Sequence, residues 1–158
     1  MIAKQKGKKI QLSKKLIAIR EEESIRIELS GKTSNQIVTL KSDNKIKLGS
    51  KLIGVEQVKS KNVQFKNNGK IEFISADGMN ENFILRTWKF GDKFKPLGMK
   101  SFKKVSDFLT DLKISVSERK NQLVLTNRDQ IVWIVGLRID DRYKLNPKTK
   151  KIYKLWVK

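Results

Sequence analysis

The feature that most constrains the fold is a series of short runs in which apolar and polar residues alternate. In residues 24–29, Ile25, Ile27 and Leu29 share one face, and the two residues between them are charged. Strands are predicted on this pattern at residues 9–12, 16–20, 24–29, 36–40, 62–65, 70–74, 82–88, 122–126, 131–135 and 151–157. Strands this short, separated by polar or glycine-containing turns, indicate antiparallel β structure with one buried face.

One stretch follows the helical period instead. Apolar residues recur at i, i+3, i+4 and i+7, at Val105, Phe108, Leu109 and Leu112. This spacing predicts one main helix over about residues 103–113, with Ser101 as its N-cap. The predicted fold class is therefore α+β: a β-rich chain of short antiparallel strands with one main helix in its C-terminal half. A predicted turn at residues 77–80 divides a mostly β accessory region, 1–80, from a second domain, 81–158.

The charge balance and two missing residue types restrict the function. The chain has 36 Lys and Arg against 16 Asp and Glu, a formal charge of +20, and it has no cysteine and no histidine. These absences exclude disulfide scaffolds, thiol nucleophiles and histidine bases, so the composition favours binding of a polyanion over catalysis. No apolar run approaches the length of a membrane span or a signal-peptide core, so we expect a cytoplasmic protein with no membrane partner.

Three motifs could carry chemistry, and each has a simpler explanation. Ser-Gly-Lys-Thr at residues 30–33 imitates the end of a P-loop but lacks the glycine required five residues earlier, so a hairpin turn is predicted. Asp107 and Asp111 are spaced for one helical turn, where a solvated surface is the favoured interpretation. Asp140 and Asp141 lie between two arginines, which favours an ion-pairing turn over an acid–base or magnesium site. No metal site is predicted.

Residues 86–95 interleave cations with aromatic rings, a combination that binds phosphates and stacks on bases. The alternative, which we favour for the rings, places Trp88, Phe90 and Phe94 in the core and leaves only the cations exposed. In either case the cations stay accessible, because a lysine or arginine is costly to bury. The predicted RNA-binding residues are Arg86, Lys89, Lys93, Lys103, Lys104, Arg119, Arg138 and Arg142.

The loop before the helix has its own structural motif. Gly91 and Gly98 are expected to adopt backbone conformations that a side chain would disfavour, and Pro96 is expected to stiffen the segment between them. Asp92 completes this predicted motif. Met99 and Phe102 are expected to seat the loop on the domain. The two lysines at the predicted helix start would combine with the helix-start amides to form a phosphate site.

Three segments, in this order, resemble the C-terminal domain of bacterial tRNA(Ile)-lysidine synthetases. They are RTWKFGDKFKPLGMK (86–100), KKVSDFLTDLKI (103–114) and IVWIVGLRIDDR (131–142). That family uses ATP to convert the wobble cytidine of an isoleucine tRNA to lysidine, in an N-terminal domain with a Ser-Gly-Gly-x-Asp-Ser loop. This loop does not occur in the present sequence.

The resemblance implies a non-catalytic C-terminal part that binds the acceptor stem of isoleucine tRNA. It implies no cofactor in this chain, with ATP and magnesium belonging to the absent catalytic domain, which would be the second partner. Two alternatives stay open: a free-standing RNA-binding adaptor without ligase activity, and an interaction module whose charge only keeps it soluble. The sequence also leaves open whether the chain is an excised fragment or a natural protein, and a monomer or a homodimer.

Overall fold

A computed structural model describes residues 9–13, 16–20, 25–29, 37–64 and 69–158. The described strands are β1 (Lys9–Ser13), β2 (Leu16–Arg20), β3 (Ile25–Leu29), β4 (Ile37–Lys41), β5 (Asn44–Leu48), β6 (Lys51–Val58), β7 (Ile71–Ser75), β8 (Asn82–Thr87), β9 (Lys93–Phe94), β10 (Lys103–Lys104), β11 (Leu123–Asn127), β12 (Gln130–Ile134), β13 (Arg138–Ile139) and β14 (Ile152–Val157). The described helices are α1 (Val105–Asp111) and α2 (Val116–Lys120), with 3₁₀ turns at Ser60–Asn62 and Asp141–Tyr143. Neither α1 nor α2 has the length and apolar character needed to cross a membrane. The predicted α+β class is confirmed.

The first three strands form an antiparallel sheet in the order β1-β2-β3. Their positions confirm the strands predicted at 9–12, 16–20 and 24–29. The shared face of Ile25 and Ile27 is not buried as predicted, because both side chains are exposed. The hairpin turn predicted at 30–33 lies outside the described residues.

The rest of the described chain builds two larger antiparallel sheets. One has five strands in the order β13-β12-β11-β8-β4, and the other has four in the order β5-β6-β14-β7. Both sheets combine strands from before and after residue 80, since β4 pairs with β8, and β14 pairs with β6 and β7. The chain passes from the first sheet to the second at Ser42–Asp43. Asp43 has φ +61°, and its carboxylate accepts a hydrogen bond from the Gln57 backbone N–H. The division at residue 80 stays a prediction.

The main core lies between these two sheets. Phe83, Leu85 and Trp133 come from the five-stranded sheet and pack in one apolar cluster with residues of the four-stranded sheet, including Tyr153 and Leu155. The rings of Phe83 and Tyr153 meet edge to face, with 5.7 Å between centroids. Such aromatic pairs add to the free energy gained by burying their area.

The opposite face of the five-stranded sheet is covered by α1 and the loop that precedes it. Phe94, Val105 and Leu109 pack there against Val124 and Ile134 in a second apolar cluster. Since both faces of the sheet are covered, β11 is buried along its whole length. This explains why its first three residues, 123–125, are all apolar rather than alternating with polar ones.

Several elements differ from the sequence-based predictions. The strand predicted at 62–65 is wrong for its described residues, since Asn62 ends a 3₁₀ turn and 63–64 have no regular structure. Five described strands were not predicted: β5, β6 and the two-residue strands β9, β10 and β13. The main helix begins at Val105, because Lys103 and Lys104 are already paired with β9, so Ser101 is not its N-cap. A second helix, α2, begins after Ser115, whose side chain forms a capping box with Glu118.

Candidate nucleic-acid interface

The loop after β8 is held by a partly buried ion pair. Arg86 donates two hydrogen bonds to Asp92, from Nη1 to Oδ2 at 2.7 Å and from Nη2 to Oδ1 at 2.9 Å. The two side chains are only 14% and 8% exposed. The Asp92 carboxylate also accepts from the Lys89 backbone N–H, and Gly91 takes φ +90° in the turn between them. The charge of Arg86 is therefore neutralised within the protein, and its pair fixes the loop.

The second half of this loop is anchored by the Asp140–Asp141 pair. Asp140 is fully buried and accepts hydrogen bonds from the Lys95 backbone N–H and from the Arg142 guanidinium. The Asp141 carboxylate accepts from the Gly98 backbone N–H at 3.0 Å, and this bond is the main reason why the pKa of Asp141 lies below its usual value. The ion-pairing turn predicted for the two carboxylates is confirmed. Gly98 itself has φ +89°, as the structural motif predicted.

A two-stranded ribbon brings two of the predicted lysines together. β9 and β10 pair antiparallel, with Lys104 opposite Lys93 and Lys103 opposite Phe94. Directly opposite side chains of an antiparallel pair lie on the same face with their Cβ atoms about 5 Å apart, so the exposed ammonium groups of Lys93 and Lys104 repel each other. An anion bound between them would relieve this repulsion. Lys103, by contrast, forms an ion pair with Asp111 of α1.

A hollow of about 310 Å³ lies beside this ribbon. Its lining residues come from the loop after β8, from the residue before β10, from the β11–β12 turn with the start of β12, and from the 3₁₀ turn at Asp141–Tyr143. They are Gly91, Asp92, Lys93, Phe102, Asp129, Gln130, Ile131 and Arg142. The Phe102 ring has two cationic neighbours there. Arg142 Cζ lies 5.1 Å and Lys93 Nζ 5.7 Å from its centroid. We call the exposed residues Lys89, Phe90, Lys93, Phe102, Lys104 and Arg142 the loop face.

The other two predicted cations lie elsewhere. Arg119 stabilises the junction of α1 and α2, where its Nε donates to the Ile114 carbonyl at 2.6 Å and its Nη1 to Thr110 Oγ1 at 2.8 Å. Arg138 is exposed and lines a separate cleft of about 660 Å³. Glu72 lines the same cleft, where burial raises its pKa and the positive charge of Arg138 partly opposes that rise. The structure thus places Lys89, Lys93, Lys104 and Arg142 on the loop face, with Arg142 paired to Asp140. The other predicted cations are paired or lie elsewhere.

The three aromatic residues of the predicted motif have three different environments. Phe94 is fully buried, which confirms the core interpretation for that ring. Trp88 is half-buried, and its indole N–H donates to the Arg119 carbonyl. Phe90 contradicts the core interpretation, because its side chain is 93% exposed. An exposed ring that follows Lys89 in the chain is the arrangement that the nucleic-acid interpretation requires.

Sequence reasoning missed part of this site. Met99 and Phe102 were expected to seat the loop, but both are exposed, and Phe102 presents 52% of its surface. Asp129 was not considered, although it lines the same hollow from a two-residue turn with positive φ at Arg128 and Asp129. The signal for Phe102 was its position beside Lys103–Lys104, which repeats the alternation of rings and cations in residues 86–95.

Comparisons with known proteins show which family the chain resembles. Residues 83–156 match the model of the TilS substrate C-terminal domain. The chain is 34% identical over 119 residues to a tRNA(Ile)-lysidine synthase of Bacteroides thetaiotaomicron, an alignment that covers 74% of this chain and 28% of the relative. It is 32% identical over 167 residues to that of Clostridium perfringens, covering 96% of this chain and 35% of the relative. The chain thus spans about a third of the length of these curated relatives.

A solved structure supports the same assignment at the level of the fold. The crystal structure of a TILS C-terminal domain superposes with a TM-score of 0.67, covering 78% of this chain and 97% of that chain at 16% identity. The family match begins at the second residue of β8 and ends within β14. It therefore contains the loop, the ribbon and the hollow described above. The resemblance recognised in the sequence is confirmed: the chain is a homologue of the C-terminal region of tRNA(Ile)-lysidine synthases, and its residues 83–156 form a domain of the TilS substrate C-terminal family.

Proposed function

We propose that this chain is a tRNA-binding part of a tRNA(Ile)-lysidine synthase and that its loop face contacts the acceptor stem of isoleucine tRNA. In this proposal the ATP-dependent conversion of the wobble cytidine to lysidine takes place in a separate catalytic domain, which holds ATP and magnesium. The present chain contributes affinity and orientation. Its cytoplasmic location follows from that role.

The observation that carries the proposal is the exposed Lys93–Lys104 pair on the β9–β10 ribbon. Two like charges held opposite each other destabilise a strand pair. Ion pairs inside the domain neutralise other cations, including Arg86 and Lys103. The lysine pair is thus a site at which binding of an anion would offset a cost already present in the folded protein. It lies within the part of the chain that matches the TilS family.

The chemistry of the loop face fits an RNA stem better than a base sequence. An A-form stem presents phosphates and 2′-hydroxyls at its surface, while its deep major groove is too narrow for side chains. Lysine ammonium groups bind phosphates as point charges and do not distinguish bases. We therefore expect recognition of the stem by its shape and charge.

The test is the salt dependence of tRNA binding by the intact chain. With about four phosphates neutralised, log K should fall with log salt at a slope of roughly −4. Replacing Lys93→Gln and Lys104→Gln together should weaken binding and reduce the slope by about 2, since each lost phosphate contact removes about 1. Filter binding or fluorescence anisotropy at several salt concentrations measures both quantities.

A matched control is available on the four-stranded sheet. Lys45 and Lys47 are exposed on β5, and Lys45→Gln with Lys47→Gln removes the same amount of charge. This control should leave the salt slope close to that of the unchanged chain. Equal losses in the two double variants would mean that binding depends on total charge alone, and the loop face would then have no special role. Binding that did not respond to salt would contradict phosphate contact altogether.

A further inference from the structure

The hollow beside Phe102 has a set of side chains that binding of the RNA sugar–phosphate backbone alone does not require. Its walls carry an aromatic ring, two cations, two carboxylates and an amide, contributed by Phe102, Lys93, Arg142, Asp92, Asp129 and Gln130. In an RNA duplex the bases are stacked inside the helix, so a stem offers no base face to an exposed ring. Unpaired nucleotides do offer such faces, and aromatic rings with adjacent cations are the usual means of binding them.

The Phe102 ring is held in place but remains accessible. It is 52% exposed, and Arg142 Cζ and Lys93 Nζ lie 5.1 Å and 5.7 Å from its centroid. Arg142 is itself fixed by the buried carboxylate of Asp140, so the ring has a rigid neighbour. An exposed aromatic surface is costly in water, and a stacked base would cover it. The exposed ammonium group of Lys93 would at the same time attract the phosphate of that nucleotide.

The polar groups of the hollow can contact a base edge. Gln130 Oε1 accepts hydrogen bonds from Arg142 Nη1 at 3.1 Å and from the Tyr143 hydroxyl at 2.9 Å. These bonds fix the orientation of the Gln130 amide. Asp129 is exposed on the adjoining turn, and a carboxylate accepts from amino groups such as N4 of cytosine. Its acidic charge would oppose a phosphate at that point, so Asp129 favours the base at its end of the hollow.

We infer that this hollow binds one unpaired nucleotide of RNA, with the base stacked on Phe102 and the phosphate directed to Lys93. The inference rests on the proposed function only in taking RNA as the partner. It adds a single-stranded element to a site otherwise suited to a stem. Phe90, which is 93% exposed and precedes Gly91 of the hollow, offers a second ring to a neighbouring base.

The test compares two RNA probes with the intact chain: a short blunt-ended duplex, and the same duplex with a single-stranded 3′ extension. The unchanged chain should bind the extended duplex about tenfold more tightly, because one stacked base contributes that much. Phe102→Leu, which keeps an apolar side chain but removes the ring, should abolish the preference for the extended duplex, measured as the ratio of the two affinities. Phe102→Trp should restore it. Ile37→Ala, which shortens an exposed apolar side chain on β4, is the control and should change neither affinity.

A second measurement needs no variant. A 2-aminopurine base in the extension should lose fluorescence when the chain binds, because stacking on a ring quenches it. Unchanged fluorescence, or equal affinity of the unchanged chain for both probes, would overturn the nucleotide site while leaving stem binding intact. Binding to the single-stranded extension alone, without duplex binding, would support the nucleotide site and contradict the proposed contact with the stem. A Phe102→Leu variant that still preferred the extended probe would show that the hollow is not the site.

Discussion

The two faces of the five-stranded sheet are covered in different ways. On one face a second sheet closes an apolar core that includes Phe83, Trp133 and Tyr153. On the other face the cover is a helix of seven residues and a loop held by Arg86–Asp92 and by Asp140. The first arrangement stabilises the fold through buried area, and the second fixes a loop that displays cations. The difference shows how one sheet can serve both as a stable core and as a support for a charged surface.

The largest expected effects are losses of stability when one aromatic ring is removed from each of the two apolar cores. Phe83→Ala should reduce the free energy of unfolding by about 4 kcal/mol, because the ring is fully buried between two sheets that relax little around a cavity. Phe108→Ala should cost less, about 3 kcal/mol, since Phe108 borders the 660 Å³ cleft and its cavity would open to solvent. Denaturant unfolding of both variants measures the difference. A larger loss for Phe108→Ala would mean that the core beneath α1 contributes more to stability than the core between the two sheets.

An intermediate effect is expected from the ion pair that holds the loop. Asp92→Asn should destabilise the protein by about 3 kcal/mol, because it leaves the largely buried Arg86 guanidinium without its counter-charge. The double variant Arg86→Met with Asp92→Asn should lose less than the sum of the two single variants, since it removes both charges. Urea unfolding of the four proteins completes the cycle. Additive losses would show that the two side chains act independently.

The smallest expected effect is a contrast in pH dependence between two carboxylates. The Gly98 N–H lowers the pKa of Asp141 in the folded protein, whereas burial raises that of Glu72. The stability from Asp141 is therefore complete above its unfolded pKa, about 3.9, and is lost as the pH falls through the lower folded value. Ionised Glu72 instead carries a penalty at neutral pH, which disappears as the pH falls below its unfolded pKa, about 4.3.

Stability measured from about pH 7 to about pH 2 separates the two groups. Asp141→Asn should flatten the loss of stability in acid. Glu72→Gln should be slightly more stable than the unchanged chain at neutral pH, with the gain vanishing in acid. A Glu72→Gln variant that lost stability at neutral pH would show that attraction to Arg138 outweighs burial, contrary to the direction of the Glu72 pKa.

The elements predicted correctly are those whose local pattern agrees with their final environment. β8 and β14 have mostly apolar runs, and each was placed within two residues of its observed bounds. β6 was missed because Gly54 interrupts its apolar run. The helix start was misplaced because Lys103 and Lys104 pair with residues nine and eleven positions away, which a helical period cannot reveal.

The sequence predicted many of the residues of the site but not how they are arranged in space. All eight cations come from the segments that carry the resemblance or lie close to them, yet only four of them lie on the loop face. Phe102 and Asp129 were missed because their importance depends on neighbours across the fold. Phe102 acquires its role from Arg142, and Asp129 from its place in the turn between β11 and β12.

The sequence by itself determined the antiparallel β character, the excess of positive charge, the absence of histidine and cysteine chemistry, and the ordered motifs of the family. Those properties follow from residue type and short-range spacing. Only the tertiary structure decided which cations remain accessible. Arg86 is neutralised by Asp92 and Lys103 by Asp111, while Lys93 and Lys104 are brought face to face. The reason is that an ion pair depends on separations of a few ångström, which are set by strand pairing and loop anchoring between distant parts of the chain.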